Sequence, residues 1–268
     1  MGIISVENTD RLYWLGRYSE RVYTTIKLFA ASFDSMIDID EPDMDETEIP
    51  VPIQDSLSQN PSEKQRQNQS LNSDRNSAFP EHNSSFPHIF EDFCKRLEIP
   101  NIYTSGPDFV SRYCFDPEDP NSIYSNLTRA YDNCVVLREE IGSETISYIQ
   151  LAMYEMNKAR ISPSPLIELQ KVLDDILAFW GIVDDDIDSE NVRNIIKVGK
   201  RIERLDLYAR LHMSREEMKR EVDRLSGRIW RTCLKYRQSY LDDLNALVEA
   251  PKIDYPAIVQ KTEMLLEE

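Results

Sequence analysis

The residues best suited to chemistry form two similar sets near opposite ends of the chain. Each set has a glycine, a base in the next position, and a Glu-Arg pair that starts four residues after the glycine. The sets are Gly16, Arg17, Glu20 and Arg21 in the first copy, and Gly199, Lys200, Glu203 and Arg204 in the second. Cationic side chains bind carboxylates or small anions, and a glutamate beside them can accept and return protons. The repeat therefore predicts a polar cluster that is either structural or a binding or catalytic site.

Each set lies on an apolar stripe with the spacing of a helix. The stripes are Leu15, Val22, Ile26, Phe29, Phe33 and Ile37 in the first, and Ile195, Gly199, Ile202, Leu205 and Ala209 in the second. A glycine inside a helix costs about 1 kcal/mol relative to alanine, and close approach of another helix is the usual reason for it. We therefore expect the helices to cross at Gly16 and Gly199, so that the glutamate of each set contacts the arginine of the other. The alternative is ordinary surface pairs along each helix, each contributing only about 0.3–0.5 kcal/mol.

The acidic run at 184–188 is a weaker candidate site. Asp184, Asp185 and Asp188 match by letters the Asp-rich motif with which helical prenyl transferases bind Mg²⁺ and a diphosphate. The run does not fit an EF-hand loop, because the required glycine and the final glutamate are absent. Acids immediately before a helix also favour its dipole, and this capping interpretation is the favoured one. We accordingly expect no metal and no cofactor.

Composition argues against several classes of function. The formal net charge is −17, whereas nucleic-acid and anionic-membrane binding both need clustered positive charge. No stretch reaches the roughly 18 apolar residues that a membrane helix needs. The chain has three histidines and none of the motifs of zinc proteases, phosphate-binding loops or serine hydrolases. We expect no nucleic-acid partner and no membrane partner.

The cysteines and the first residues predict a cytoplasmic protein. Cys94, Cys114, Cys134 and Cys233 are far apart and form no Cys-x-x-Cys pair, which is typical of free thiols in a reducing compartment. Cys134 and Cys233 lie on predicted apolar faces and are expected in the core. The stretch 1–6 lacks the basic start and long apolar run of a signal peptide.

Several stretches carry a family resemblance. The run Leu-Tyr-Trp-Leu-Gly-Arg-Tyr-Ser-Glu-Arg at 12–21 resembles the opening of the bacterial Alpha-E family, an all-helical domain. Residues 116–123, 138–145 and 199–206 resemble three further segments of that family, and the resemblance covers most of 5–40 and 86–212. The second motif departs from the family pattern at Lys200, where arginine is usual, and at Leu205, where alanine is usual.

The resemblance implies an accessory role. Alpha-E proteins look like companions of circularly permuted ATP-grasp ligases and of transglutaminase-like proteins, in systems of peptide synthesis or modification. The implied function is a non-catalytic interaction protein whose partner is one of these two protein types. The residues themselves leave an alternative open, in which Arg17, Arg21, Lys200 and Arg204 bind a small anion or serve an enzyme site.

No segment shows the sustained alternation of a strand, so we predict an all-α bundle of about eight helices with the two repeated helices packed together. We expect one domain over residues 1–268. Within it, the stretch 41–85 is acidic at first and then rich in Asn, Ser, Gln and Pro. Such a stretch cannot bury enough apolar surface to become ordered by itself, so we predict a flexible insertion there.

One more helix is predicted at 214–248. Ser214 and Glu217 form a capping-box pattern, and apolar residues then recur at steps of three and four. The stripe consists of Met218, Val222, Leu225, Ile229, Cys233, Tyr236, Tyr240, Leu244 and Leu247. It predicts packing on the same core, with a coiled-coil homo-oligomer as the alternative.

Overall fold

The computed structural model describes residues 4–37 and 89–267, with side chains described for 4–29 and 90–267. The insertion expected at 41–85 lies outside these residues. The described chain contains ten helices: α1 Val6–Ile37, α2 Ile89–Leu97, α3 Gly106–Phe115, α4 Ile123–Val136, α5 Arg138–Ile161, α6 Pro165–Asp185, α7 Glu190–Arg210, α8 Arg215–Ile229, α9 Gln238–Glu249 and α10 Tyr255–Glu263. The all-α class is confirmed, and the count of about eight helices was approximate.

The first helix forms where the apolar stripe predicts it. The hydroxyl oxygen of Ser5 accepts a hydrogen bond from the backbone N–H of Asn8 at 3.0 Å, which satisfies one free donor at the start of α1. The described stripe residues, Leu15, Val22, Ile26 and Phe29, are all buried. The side chains of Phe33 and Ile37 lie outside the described part of the helix.

Helix α7 lies between two hydrophobic cores. Its first half contributes Ile195 and Ile196 to a large cluster shared with α1 to α6. Its second half contributes Ile202 and Leu205 to a smaller cluster shared with α8, α9 and α10. The most extensive contact between two helices is that of α1 with α7. A polar group that is buried at this contact must therefore find its partner within the protein.

The prediction of one helix over 214–248 is wrong. The chain forms α8 and α9 instead, with an irregular connection at 230–237. In that connection the backbone N–H of Arg237 donates to the carbonyl of Leu265 at 2.9 Å, and that of Cys233 donates to the side chain of Asn191 at 3.1 Å. These partners replace the carbonyls to which a continuous helix would bond. Neither contact is visible from the periodicity of the segment itself.

The break changes two further expectations. Cys233 is exposed rather than in the core, whereas Cys134 is buried as predicted. The continuous helix on which the coiled-coil alternative depends is not formed, and the inward residues of α8 are buried within the chain. None of the helices in the described residues combines the length and apolar character needed to cross a membrane.

Candidate functional site

The two glycines allow α1 and α7 to touch backbone to backbone. A methyl group built on Gly16 would lie 2.0 Å from the carbonyl oxygen of Ile196, and one on Gly199 would lie 2.1 Å from that of Tyr13. Each contacted residue is three positions before the glycine of its own helix, so the crossing is a pseudo-twofold arrangement. The predicted crossing at the glycines is present.

The glutamate of the second copy is held by two arginines of the first. Glu203 is fully buried, and one of its carboxylate oxygens accepts a hydrogen bond from Nε of Arg17 at 2.6 Å. The other oxygen accepts from Nε of Arg21, which is the contact that the repeat predicts. Burial by itself raises the pKa of Glu203, but the two guanidinium groups lower it by more, so that it ends below its ordinary value. The carboxyl group is therefore ionised at neutral pH.

The glutamate of the first copy has a related environment. Glu20 is fully buried and accepts two hydrogen bonds from Arg204, from Nε at 2.6 Å and from Nη2 at 2.9 Å. The hydroxyl of Thr24 also donates to it, at 2.5 Å. The reciprocal pairing expected from the repeat is thus present in both directions. We call Arg17, Glu20, Arg21, Glu203 and Arg204 the Glu–Arg cluster.

A third buried glutamate extends the network, and the sequence analysis did not predict it. Glu221 of α8 is fully buried and accepts from Arg201 at 2.7 Å and from Arg224 at 3.0 Å. Arg204 also lies 3.7 Å from it, which connects it to the Glu–Arg cluster. A signal was present in the sequence, because position 221 falls on the inward stripe of α8, between Met218 and the later apolar residues.

Lys200 does not join this network as its counterpart Arg17 does. Its ammonium nitrogen lies 3.8 Å from the ring centroid of Trp180 on α6, and the described residues offer it no ion pair. Burial lowers the pKa of Lys200 to about 7, with Glu20 opposing this and Arg204 adding to it. Of the four predicted cationic residues, three are thus committed to carboxylates and one is not.

The aspartates at 184–188 are not brought together as a metal site. Asp184 and Asp185 belong to the last turn of α6, whereas Asp188 is exposed in the connection. Lys197 of α7 forms an ion pair with Asp184. Ser189 caps α7 by accepting from a backbone N–H at 3.4 Å, and of the three aspartates only Asp188 precedes that helix as the capping interpretation requires. Over residues 4–37 and 89–267, no group of three or more His, Cys, Asp or Glu side chains is placed to hold a metal ion.

Comparison with known proteins agrees with the repeat. The Alpha-E family model, described as a predicted alpha-helical domain with a conserved ER motif, matches residues 8–242. The sequence contains Glu-Arg twice, at 20–21 and 203–204, and both pairs lie in the Glu–Arg cluster. No curated protein and no solved structure shows significant similarity to the chain. The family match, the helical fold and the two Glu-Arg pairs show that this chain belongs to the Alpha-E family.

Proposed function

We propose that the chain is a non-catalytic helical accessory protein, in which the Glu–Arg cluster holds α1 on α7. The observation that carries this proposal is that both carboxylates of the cluster are sealed from solvent by the protein. Glu20 and Glu203 are each 0% exposed, and the four oxygens of the two carboxylates all accept hydrogen bonds from side chains of the protein. A general acid or base must reach its substrate, which such a carboxylate does not do.

Four partly exposed side chains on α1 and α4 support an interaction role. Trp14 and Tyr18 of α1 stack with their ring centroids 5.3 Å apart. The guanidinium of Arg17 lies 5.0 Å from the Trp14 ring, and that of Arg129 on α4 lies 5.8 Å from the Tyr18 ring. All four side chains are partly exposed. We call them the aromatic face. Tryptophan, tyrosine and arginine are the residues that most often dominate the binding energy of protein interfaces.

The partner that fits the proposal is an ATP-grasp-type ligase or a transglutaminase-like protein of a peptide-synthesis or peptide-modification system. The resemblance to Alpha-E proteins supports this choice, and the net charge of −17 favours a partner with a basic surface around its contact. The proposal places the protein in the cytoplasm, because all four cysteines are free and three of them are buried.

Affinity capture from the native host tests this proposal. The tagged parent is compared with Trp14→Ala/Tyr18→Ala, and with Trp230→Ala as a matched control, since Trp230 is 64% exposed on another part of the molecule. Mass spectrometry should recover the ligase or transglutaminase-like protein with the parent and the control, and much less of it with the double variant. Circular dichroism checks that all three proteins are folded. Recovery of neither partner type with the parent contradicts the partner assignment, and equal recovery with the double variant contradicts the aromatic face.

A further inference from the structure

Lys200 occupies the position at which the pseudo-twofold symmetry breaks. Arg17, its counterpart, bonds to Glu203 at 2.6 Å. The symmetrical carboxylate, Glu20, is already taken by Arg204 and by the hydroxyl of Thr24. The ammonium group of Lys200 therefore lies against an aromatic ring, in a half-buried position without a bonded carboxylate in the described residues.

A buried donor close to Lys200 has no acceptor. Trp180 is 6% exposed, and its indole Nε1–H makes no hydrogen bond within the described residues. A buried donor without an acceptor costs about 1–3 kcal/mol, and native proteins retain few of them. An acceptor between α6 and α7 would satisfy the indole donor and the ammonium group together.

The charges around Lys200 act in both directions, and the largest single contribution among them is the attraction by Glu20. Arg201 and Arg204 on α7 repel the ammonium group of Lys200, whereas Glu20 on α1 and Glu221 on α8 attract it. Both glutamates are already neutralised by arginines. Burial is the main reason that the pKa of Lys200 falls to about 7, so that its charge is only weakly supported by the protein itself. An anion bound there would stabilise the charged form.

We propose that Lys200 and Trp180 bind one small oxyanion of the phosphate class between α6 and α7. A phosphate group has several acceptor oxygens, so it can accept from an ammonium group and from an indole N–H at the same time. Its negative charge would give the ammonium group the bonded counter-charge that the described residues do not provide. The proposal is independent of the accessory role, because it concerns a small ligand and not the protein partner.

The indole N–H signals give a direct test in solution. The chain has three tryptophans, Trp14, Trp180 and Trp230, and Trp180→Phe identifies the signal of the donor in question. Inorganic phosphate is titrated into the isotope-labelled parent at slightly acidic pH, against sodium chloride at equal ionic strength. We expect a saturable shift of the Trp180 signal with phosphate and no such shift with chloride. A shift that is absent, or that chloride reproduces, overturns the proposal.

Variants then test Lys200 itself by calorimetry. Lys200→Gln should weaken phosphate binding about tenfold or more, because it removes a charge-assisted hydrogen bond. Lys219→Gln, which removes an exposed lysine of α8 paired with Glu249, should leave binding unchanged. Binding that is equally strong in both variants would refute the assignment of Lys200. Circular dichroism confirms that each variant is folded, and the Trp180 shift of the parent remains an independent readout.

Two further binding measurements test the chemical class of the ligand and the protonation of Lys200. Adenosine monophosphate is compared with inorganic phosphate. Tighter binding of the nucleotide would identify the phosphate as part of a larger ligand, and tighter binding of the free ion would identify phosphate itself. Sulfate, whose charge is constant near neutrality, is used for the pH series. Its affinity should fall as the pH rises through about 7, where Lys200 loses its proton. A pH-independent affinity for sulfate contradicts the role of Lys200.

Discussion

Replacing Gly16 by alanine tests whether the crossing of α1 and α7 holds the fold together. The new methyl carbon would lie 2.0 Å from the carbonyl oxygen of Ile196, although Cβ atoms essentially never approach another heavy atom within 3.0 Å. The two helices must therefore move apart by about 1 Å at this point. The bond between Glu20 and Arg204, 2.6 Å long, crosses the same contact and would lengthen with it. The substitution thus affects both packing and a buried ion pair.

The magnitude follows from these two effects. Overpacking a core costs about 1–3 kcal/mol, and loss of a buried ion pair costs about 3–5 kcal/mol when it is complete. The better helix propensity of alanine raises the free energy of unfolding by about 1 kcal/mol, which opposes these losses. Because the ion pair is lengthened and only partly lost, we expect the free energy of unfolding of Gly16→Ala to fall by about 2–5 kcal/mol. Gly199→Ala should behave alike, since its methyl group would lie 2.1 Å from the carbonyl oxygen of Tyr13.

Urea unfolding followed by far-ultraviolet circular dichroism measures the change, with the slope of the transition compared between variants. Gly227→Ala is the matched control, because this glycine lies within α8 and a methyl group there meets no atom within 4 Å. That control should be stabilised by up to about 1 kcal/mol, so the two substitutions differ in sign. If Gly16→Ala were neutral, or stabilised as much as the control, the close crossing would be refuted.

Three other results are expected. Glu203→Gln should lower the free energy of unfolding by about 3–5 kcal/mol, because two arginines lose their buried counter-charge. The control Glu216→Gln, at an exposed position, should change it little. Equal effects of the two substitutions in a urea titration would contradict the buried pairing. Burial raises the pKa of Glu203 and Glu221, but their arginines lower it further, to below the ordinary 4.5. The contribution of these two carboxylates to the free energy of unfolding should therefore be complete above about pH 4.5 and decline as the pH falls. A urea midpoint that rises on acidification would refute this. Cys233 should react quickly with Ellman's reagent in the folded protein and the three buried cysteines only after unfolding, so four fast thiols would contradict the fold.

The main contact of the Glu–Arg cluster could be predicted because it is encoded twice. The glycine, glutamate and arginine recur at the same spacing, and helical geometry converts that spacing into one face of each helix. Two helices whose similar faces both carry a glycine can pack symmetrically at those glycines. This packing places the glutamate of each helix against the arginine of the other. The extra bond from Arg17 to Glu203, and its lack of an equivalent at Lys200, did not follow from the repeat. Those details depend on which other side chains bond to each carboxylate. Thr24, one turn after Glu20, donates to Glu20 together with Arg204, and Lys200 forms no bond there.

What the sequence determined by itself is local or repeated: the all-helical class, the stripes of α1 and α7, and the reciprocal pairing of the two Glu-Arg motifs. These follow from the regular geometry of the helix, which needs no knowledge of distant residues. Only the tertiary structure decided the break between α8 and α9, where backbone groups bond to Asn191 and Leu265 instead of continuing the helix. It alone also placed Glu221 in the network and Lys200 against Trp180. Such contacts join residues that are remote in sequence. They form because packing of the helices buries polar groups, which must then find hydrogen-bond partners within the protein.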